Sequence, residues 1–548
     1  MAPTTRPKEA SGLKSSKKAA GAASAAEATA RPSDIVPINN WFRFLETQNS
    51  QAIALPLTLL FAVLVRWCVA LYGYSGQGSS PMFGDYEAQR HWMEITTHLP
   101  PSKWYFYDLQ YWGLDYPPLT AFQSWACGFV ANLVNPAWVA LDSSRGIETH
   151  KSKLFMRSTV LVLDLAIFFP AIVLFFRSKR GFGSWVPQQV SIFTALLHPC
   201  LLLIDHGHFQ YNSVMLGFLV WAVYFAAQEH YVYMAVAFCC ALMFKQMALY
   251  YAPAVFFFLL AKCFQPNHGF TLFIKLGFAV VATFGLMLLP WIQSPEQLTQ
   301  ILIRVFPVAR GLYEDKVANV WCALNVVVKL RNMFETADLL RLATAATSLA
   351  FLPACIHLFV MIRRHKGNLL PAVRDNMVKL LNYSLLNTSL AFFLFSFQVH
   401  EKSILLPVIP ALLLVDDEHW AVNWFVQVAL FSMYPLLFKD GLQIPYAVLA
   451  IGWSVLRSCP VCPADKKTPR MVFLLQWLST LVMVALHLAH MFISPPASLP
   501  DIYVVLNVVF SCAMFLFFFV YFNYRQFSLL SRPSSSRGMS TPNKRKTE

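Results

Sequence analysis

The chain has 548 residues, 57% of them hydrophobic and 13% charged, with a formal net charge of +15 and a mean hydropathy of +0.50. Soluble domains carry roughly a quarter of their residues as charge, so this composition excludes a soluble globular chain. The basic excess gathers in the two tails and a few short loops, as the positive-inside rule demands, so topology rather than a nucleic-acid partner accounts for it.

In chain order, residues 1–40 are rich in Ala, Ser and Lys, carry no secretory signal, and are predicted to be a disordered cytosolic tail. The first membrane span is predicted at about Ala52–Tyr72. A long loop, 73–156, follows, rich in Trp, Tyr and Pro with interspersed charge. Its one apolar run, Thr120–Val134, is short for a span and is expected at the interface.

That loop opens with FGDYEAQRHWMEI (Phe83–Ile95), which crowds Asp85, Glu87, Arg90, His91 and Glu94 into one stretch. Asp85 can cap a helix, with Glu87–Arg90 and Arg90–Glu94 as ion pairs at helical spacing. A second carboxylate, Asp115 in YWGLDYPPLTAF, gives the loop another reading. Pro117 and Pro118 fix an extended backbone that can hold Asp115 rigidly. Two acids amid Trp92, Trp104, Tyr105, Tyr107, Tyr111 and Trp112 suit sugar recognition, where rings cover C–H surfaces and carboxylates accept hydroxyl protons. The same rings also suit a membrane-interface belt.

Further spans are predicted to begin near Ser158, Gln189, Tyr211, Tyr231, Ala248, Thr271, Leu339, Met377, Ser403, Ala421, Ile444, Met471 and Asp501, which makes about 14 helices in one all-α bundle. RSKR (177–180), RRHK (363–366), DKKTPR (465–470) and the C-terminal KRK share one side if Thr120–Val134 does not cross. The opposite side then receives the Asp85 loop, DHGHFQYN (205–212), RVFPVARGLYEDKVAN (304–319) and HEK (400–402), with FKQMALYYAP (244–253) at the same level. Charges from distant segments converge at helix ends on one face, which is an active-site pattern rather than a pore pattern.

Each motif also has a plain structural reading. Asp205, His206, His208, Gln210 and Asn212 make either a polar turn or a substrate-positioning cluster; histidines two apart make a poor zinc pair. Lys245 at a helix end can snorkel, and beside it Gln246 is polar. Arg304, Arg310, Lys316, His400 and Lys402, with the acids Glu314, Asp315 and Glu401 interspersed, supply cations suited to an anion site. The 11 cysteines are scattered and outline no disulfide framework, and Cys459 and Cys462 form a lone pair too weak to make a metal site. No Gly-rich phosphate loop, nucleophile elbow or HExxH is present.

GDYEAQRHWMEITTHLPPSKWYFYDLQYWGLDYPPLTAF, DHGHFQYNSVMLG, FKQMALYYAP, FPVARGLYEDKVANVWC and FSFQVHEKSILLP together resemble the endoplasmic-reticulum glucosyltransferases that extend the lipid-linked oligosaccharide. The similarity runs from about residue 50 to 525. The resemblance implies a GT-C membrane fold over 41–525, a lumenal catalytic loop at 73–156, and a cytosolic tail at 526–548. It implies glucose transfer from dolichyl phosphate β-D-glucose to a dolichyl-pyrophosphate-linked oligosaccharide, with inversion to an α-1,3 linkage in the service of N-glycosylation. The motif wording is that of members acting first, on the nine-mannose acceptor; members adding the second glucose share LDYPP and HEK. It further implies Asp85 as general base, and Asp115 is expected as a second catalytic carboxylate. Substrate-binding residues are then expected among Glu87, Arg90, His206, His208, Gln210, Lys245, Gln246, Arg310, Glu314, Asp315, Lys316, His400, Glu401 and Lys402. No metal cofactor is expected, because side-chain cations can stabilise a leaving phosphate. A lipid or sugar transporter is the alternative of a different class.

Overall fold

The computed structural model describes residues 37–179, 185–266, 268–306, 316–364, 371–457 and 470–529. All regular structure among them is helical. An amphipathic α1 (Pro37–Thr47) packs Ile38, Phe42 and Leu45 inward and leaves Trp41 and Phe44 exposed. The first long helix, α2 (Gln51–Ala70), has 20 residues. At about 1.5 Å per residue such a helix is about 30 Å long, the thickness of a bilayer's hydrocarbon core. The polar loop then folds into α3 (Asp85–His98) and α4 (Pro118–Val134), joined by short turns.

Beyond the loop, α5 (His150–Ser178) and α6 (Trp185–Phe209) are long and each contains a π-helical stretch, Asp164–Phe168 and Leu202–Phe209. Two short apolar helices follow, α7 (Asn212–Ala227) and α8 (Tyr231–Phe244), then α9 (Gln246–Cys263) and α10 (Gly269–Trp291). Two short helices, α11 (Pro295–Val305) and α12 (Val320–Leu324), precede α13 (Thr336–Arg364) and α14 (Pro371–Phe395). The last third comprises α15 (Leu405–Leu413), α16 (His419–Ser432), α17 (Tyr434–Lys439), α18 (Gln443–Arg457), α19 (Arg470–Phe492) and α20 (Ile502–Ser528).

Among the described residues, nine helices are long and apolar enough to cross a bilayer. The expected figure of about 14 is reached only by counting the shorter α7, α8, α15, α16 and α18, which run from 9 to 16 residues. Run Thr120–Val134 becomes α4, which packs on α3 and is not among the long helices.

Apolar surface marks the solvent. Helix α10 exposes Phe270, Phe278, Val281 and Leu286, and α19 exposes Met471, Leu478 and Phe492. Each such side chain left in water forgoes about 1.5–3 kcal/mol; against lipid tails it forgoes nothing. By contrast α14, α7 and α16 form the interior, with Leu381, Leu385, Met215, Leu219, Trp424 and Phe425 wholly enclosed.

The two ends of the bundle are chemically distinct. At one, Lys179 pairs with Asp416, Lys379 with Asp417, and Arg525 with Glu418. At the other lie α3, the C-terminal end of α6, and the turns holding Lys402 and Asp440.

Candidate active site

The charged opening of the loop is mostly a brace. Arg90 grips Glu87 with two nitrogens at 2.8 and 2.6 Å, reaches Glu94 at 2.8 Å, and donates to the Ser144 hydroxyl at 2.6 Å. Glu94 accepts from the Asp142 backbone N–H at 2.6 Å and faces His91 Nδ1 at 3.2 Å, and His91 Nε2 lies 3.1 Å from Asp108. Burial pushes the Glu94 carboxyl up, but the His91 hydrogen bond and the Arg90 charge outweigh it and hold the carboxyl at about 2. These side chains tie one turn of α3 to loop residues some 50 positions away. Glu87 and Arg90, expected to bind substrate, are instead committed to each other, because opposite charges three apart on a buried helical face satisfy one another.

The aromatic residues of the loop divide. Trp92, Trp104 and Tyr105 are buried with Ile95, Leu114 and Trp291 in the loop's own core. Tyr107, Tyr111 and Trp112 remain half-exposed. Of these six rings, only the second set keeps surface that could cover a sugar.

Asp85 is the one acid of the opening stretch that faces out of this brace. It starts α3, where the positive end of the helix dipole favours an anion, and its backbone N–H donates to the Ser75 hydroxyl at 3.3 Å. Three groups converge on a single carboxylate oxygen, Oδ2: His208 Nε2 at 3.0 Å, Gln210 Nε2 at 2.6 Å, and the Lys402 ammonium. No hydrogen bond from the described residues ends on Oδ1, and the side chain keeps 26% of its surface exposed. Burial raises the Asp85 carboxyl, but the Lys402 charge and the His208 hydrogen bond together hold it well below the usual carboxylate range.

Local backbone explains how His208 and Gln210 reach the same oxygen. Residues two apart on a regular helix point to opposite sides. Here the π-helical turn ends at Phe209, whose φ of 86° is a strained value for a non-glycine residue, costing about 1–3 kcal/mol. Gln210 is extended and folds back beside the imidazole. The turn is held by Arg157, which donates to the Gly207 and Gly73 carbonyls at 2.8 and 2.9 Å, and by the Ser75 N–H, which donates to the His208 carbonyl at 3.0 Å. Such π-turns recur at functional sites.

Lys245 fixes the amide of Gln210. Its ammonium donates to Gln210 Oε1 at 2.7 Å and to Asn212 Oδ1 at 2.8 Å, with the Tyr116 ring 4.8 Å away. Because Lys245 can only donate, Gln210 must present its NH2 to Asp85. Asp205 accepts from Asn212 Nδ2 at 2.8 Å and from the Ser213 N–H at 2.6 Å, closing the N-terminus of α7. Asp115 lies beside Tyr105, whose hydroxyl is pushed well up by burial first and the Asp115 charge second; the charge of Asp115 also acts on Lys245.

The remaining expected residues are placed variously. His206 turns into the bundle and faces Asp164 at 3.1 Å, where Arg66 also binds, so this imidazole serves an interior ion pair rather than the Asp85 face. Lys316 pairs with Asp501 at the surface. Gln246 is half-buried, and its Oε1 has no hydrogen-bond partner among the described residues. His400 and Glu401 are half-buried on the turn that carries Lys402. Arg310, Glu314 and Asp315, like Cys459 and Cys462, lie outside the described residues. One participant was not anticipated: Asp440, whose Oδ2 sits 2.6 Å from His208 Nδ1. Its only sequence signal is a solitary acid before Gly441 between two apolar runs, and Gly441 takes a φ of 71° to make that turn.

A carboxylate with one oxygen anchored by three donors and the other open, bordered by cations, can accept a hydroxyl proton while the cations meet an anion. The model of the ALG6, ALG8 glycosyltransferase family matches residues 62–521, a stretch that holds every one of these groups. The chain belongs to that family. A relative from Gallus gallus, named dolichyl pyrophosphate Man9GlcNAc2 alpha-1,3-glucosyltransferase, is 44% identical over 499 residues, covering 85% of this chain and 95% of its own. The relative of the same name from Saccharomyces cerevisiae is 40% identical over 513 residues, covering 86% and 92%. One from Schizosaccharomyces pombe, named as a probable enzyme of that kind, is 42% identical over 489 residues, covering 87% and 93%. As a member of the ALG6, ALG8 family the chain is a multi-pass membrane glycosyltransferase of GT-C type, and its all-helical bundle is the architecture expected for one.

Proposed function

We propose that this glycosyltransferase transfers glucose from dolichyl phosphate β-D-glucose to the terminal mannose of a dolichyl-pyrophosphate-linked nine-mannose oligosaccharide. The new linkage is α-1,3, so the anomeric carbon inverts in a single displacement. The observation that carries this reading is Asp85: Oδ2 held by three donors, Oδ1 open, at the edge of an aromatic-bearing loop. The names of the relatives at 40–44% identity favour the nine-mannose acceptor over the glucosylated one.

In the reaction, the acceptor hydroxyl attacks the anomeric carbon as the C–O bond to phosphate breaks, and its proton passes to Asp85 Oδ1. The low basicity of Asp85 means that proton transfer accompanies bond formation and does not precede it. The departing dolichyl phosphate leaves as an anion, and Lys402, with His400 on the same turn, supplies positive and polar surface to receive it. Asp115, whose charge acts on Lys245, is the further candidate for a sugar contact. No metal is required in this reading, because the Lys402 ammonium beside Asp85 supplies positive charge from the chain itself.

The site faces the lumen of the endoplasmic reticulum and both termini are cytosolic. The basic helix ends at Arg177, Lys179, Arg363 and Arg364 support this orientation, since they lie at the end of the bundle remote from Asp85. Purified protein supplied with labelled donor and the nine-mannose acceptor tests the proposal: transfer of one glucose supports it. Transfer only to the already monoglucosylated acceptor would assign the second step instead.

A further inference from the structure

Asp440 touches neither Asp85 nor open solvent at the loop, yet it ends a chain of contacts that leads to the open carboxylate oxygen. His208 is bonded at both ring nitrogens, with Nδ1 2.6 Å from Asp440 Oδ2 and Nε2 3.0 Å from Asp85 Oδ2. Lys402 Nζ stands 3.2 Å from the same Nε2, and Arg157 reaches the Gly207 carbonyl one residue away. Asp85, Lys402, Asp440 and Arg157 are therefore the charged groups around this imidazole. The ring and the Asp440 carboxylate are nearly enclosed, at 3% and 6% exposure, so neither rotates at little cost.

The turn bearing Asp440 is pressed against the start of the catalytic loop. A Cβ on Gly73 would stand 2.5 Å from the Asp440 carbonyl oxygen, and one on Gly207 would stand 2.9 Å from Leu442 Cδ1. These two glycines let the α17–α18 turn approach both the loop that leads to Asp85 and the turn that carries His208. Glycine at 73 is thus a requirement of close approach, because the obstacle there is backbone, whereas at 207 a Cβ would only have to displace the end of the Leu442 side chain.

Resting on the transferase reading above, we propose that Asp440 is a positioning residue for the reaction. With a carboxylate facing each ring nitrogen His208 is held as the imidazolium, and by accepting a hydrogen bond from Nδ1–H Asp440 fixes the ring's orientation and aims Nε2–H at Asp85 Oδ2. That third donor completes the set that turns Oδ1 toward the acceptor. Without the Asp440 anion the imidazole loses the partner that specifies which nitrogen faces Asp85, as outer-shell carboxylates do for histidines elsewhere. The effect falls on the chemical step, since the hydrogen bond of the Asp440 side chain among the described residues goes to His208.

The test is a double-mutant cycle on kcat with Asp440→Asn, His208→Gln and both together, alongside the wild type in the same glucosylation assay. Each single variant should lower kcat by about ten- to a hundredfold with donor KM changed little. The double variant should be no worse than the poorer single, because Asp440 acts only through the ring. Multiplying losses, or an Asp440→Asn variant within twofold of wild type, would overturn the proposal. If Asp440→Asn does not fold to a monodisperse species, His208→Gln and His208→Asn decide. The glutamine amide stands where Nε2 stood and the asparagine amide where Nδ1 stood, so glutamine should retain the greater activity, and the reverse order would overturn the assignment. An inactive wild type would instead overturn the transferase reading itself.

Discussion

Replacing Asp85 by asparagine should remove catalysis while leaving the fold and the donor site in place. The geometry gives the reason beyond lost charge. His208, Gln210 and Lys402 all donate to Oδ2, so the amide of Asp85→Asn must set its carbonyl oxygen there. Its NH2 then occupies the Oδ1 position and points a donor at the acceptor hydroxyl, the opposite of what a base requires. General-base assistance contributes about 10²–10⁴-fold, which corresponds to about 3–5 kcal/mol of barrier at about 1.4 kcal/mol per tenfold. Initial rates over a range of donor concentrations should therefore show kcat reduced about a hundredfold or more, with donor KM little changed. A pH signature accompanies it. Because the Asp85 carboxyl is held well below its usual range, the anion persists as pH falls toward about 4, so the acid side of the wild-type profile above that pH is not set by Asp85. Near-wild-type turnover in Asp85→Asn would show that Asp85 only caps α3, and would make Asp115 the next candidate base.

Glu94→Gln should destabilise the loop rather than the chemistry, by about 3–5 kcal/mol for a broken buried pair. The Glu94 carboxyl is held at about 2 in the folded protein, below its unfolded value of about 4.3. Its stabilisation is then fully present above the unfolded value and fades as pH falls through the folded one. The gap in melting temperature between wild type and variant in detergent should be constant from about pH 8 to 5 and narrow below about 4; a gap unchanged down to pH 3 would refute this. Glucose transfer should survive EDTA, and loss of turnover restored by Mg²⁺ or Mn²⁺ would show that a metal takes part. In sealed microsomes, added protease should remove epitopes at both termini and spare one inserted beside Asp85; protection of the C-terminal epitope would overturn the proposed orientation.

The long helices were legible because bilayer-spanning segments announce themselves by composition: predicted starts near Thr271, Met471 and Asp501 fall on α10, α19 and α20. The short interior helices were legible as apolar runs but not as shorter-than-bilayer pieces, because the breaks around them are made by tertiary contacts and π-turns. In the site, Asp85, His208, Gln210, Lys245 and Lys402 were all picked out and are brought together. Composition could not tell inward from outward charge. Glu87 and Arg90 sit within five residues of Asp85 and bind each other, and His206 is two residues from His208 but turns toward Asp164. Asp440 escaped notice because a single acid in FKDGLQ resembles any loop residue; only the fold brings it to an imidazole 232 positions earlier in the chain.

If this face transfers one glucose from a lipid phosphate to the nine-mannose glycan with Asp85 as base, the chemical step itself must depend on that carboxylate. The most direct measurement is single-turnover glucosylation by purified wild type and Asp85→Asn, with the product linkage determined. One α-1,3-linked glucose on the terminal mannose is expected with the wild type, and a rate lower by about a hundredfold or more with the variant. No donor-dependent product, or a product formed equally fast by both proteins, would contradict it.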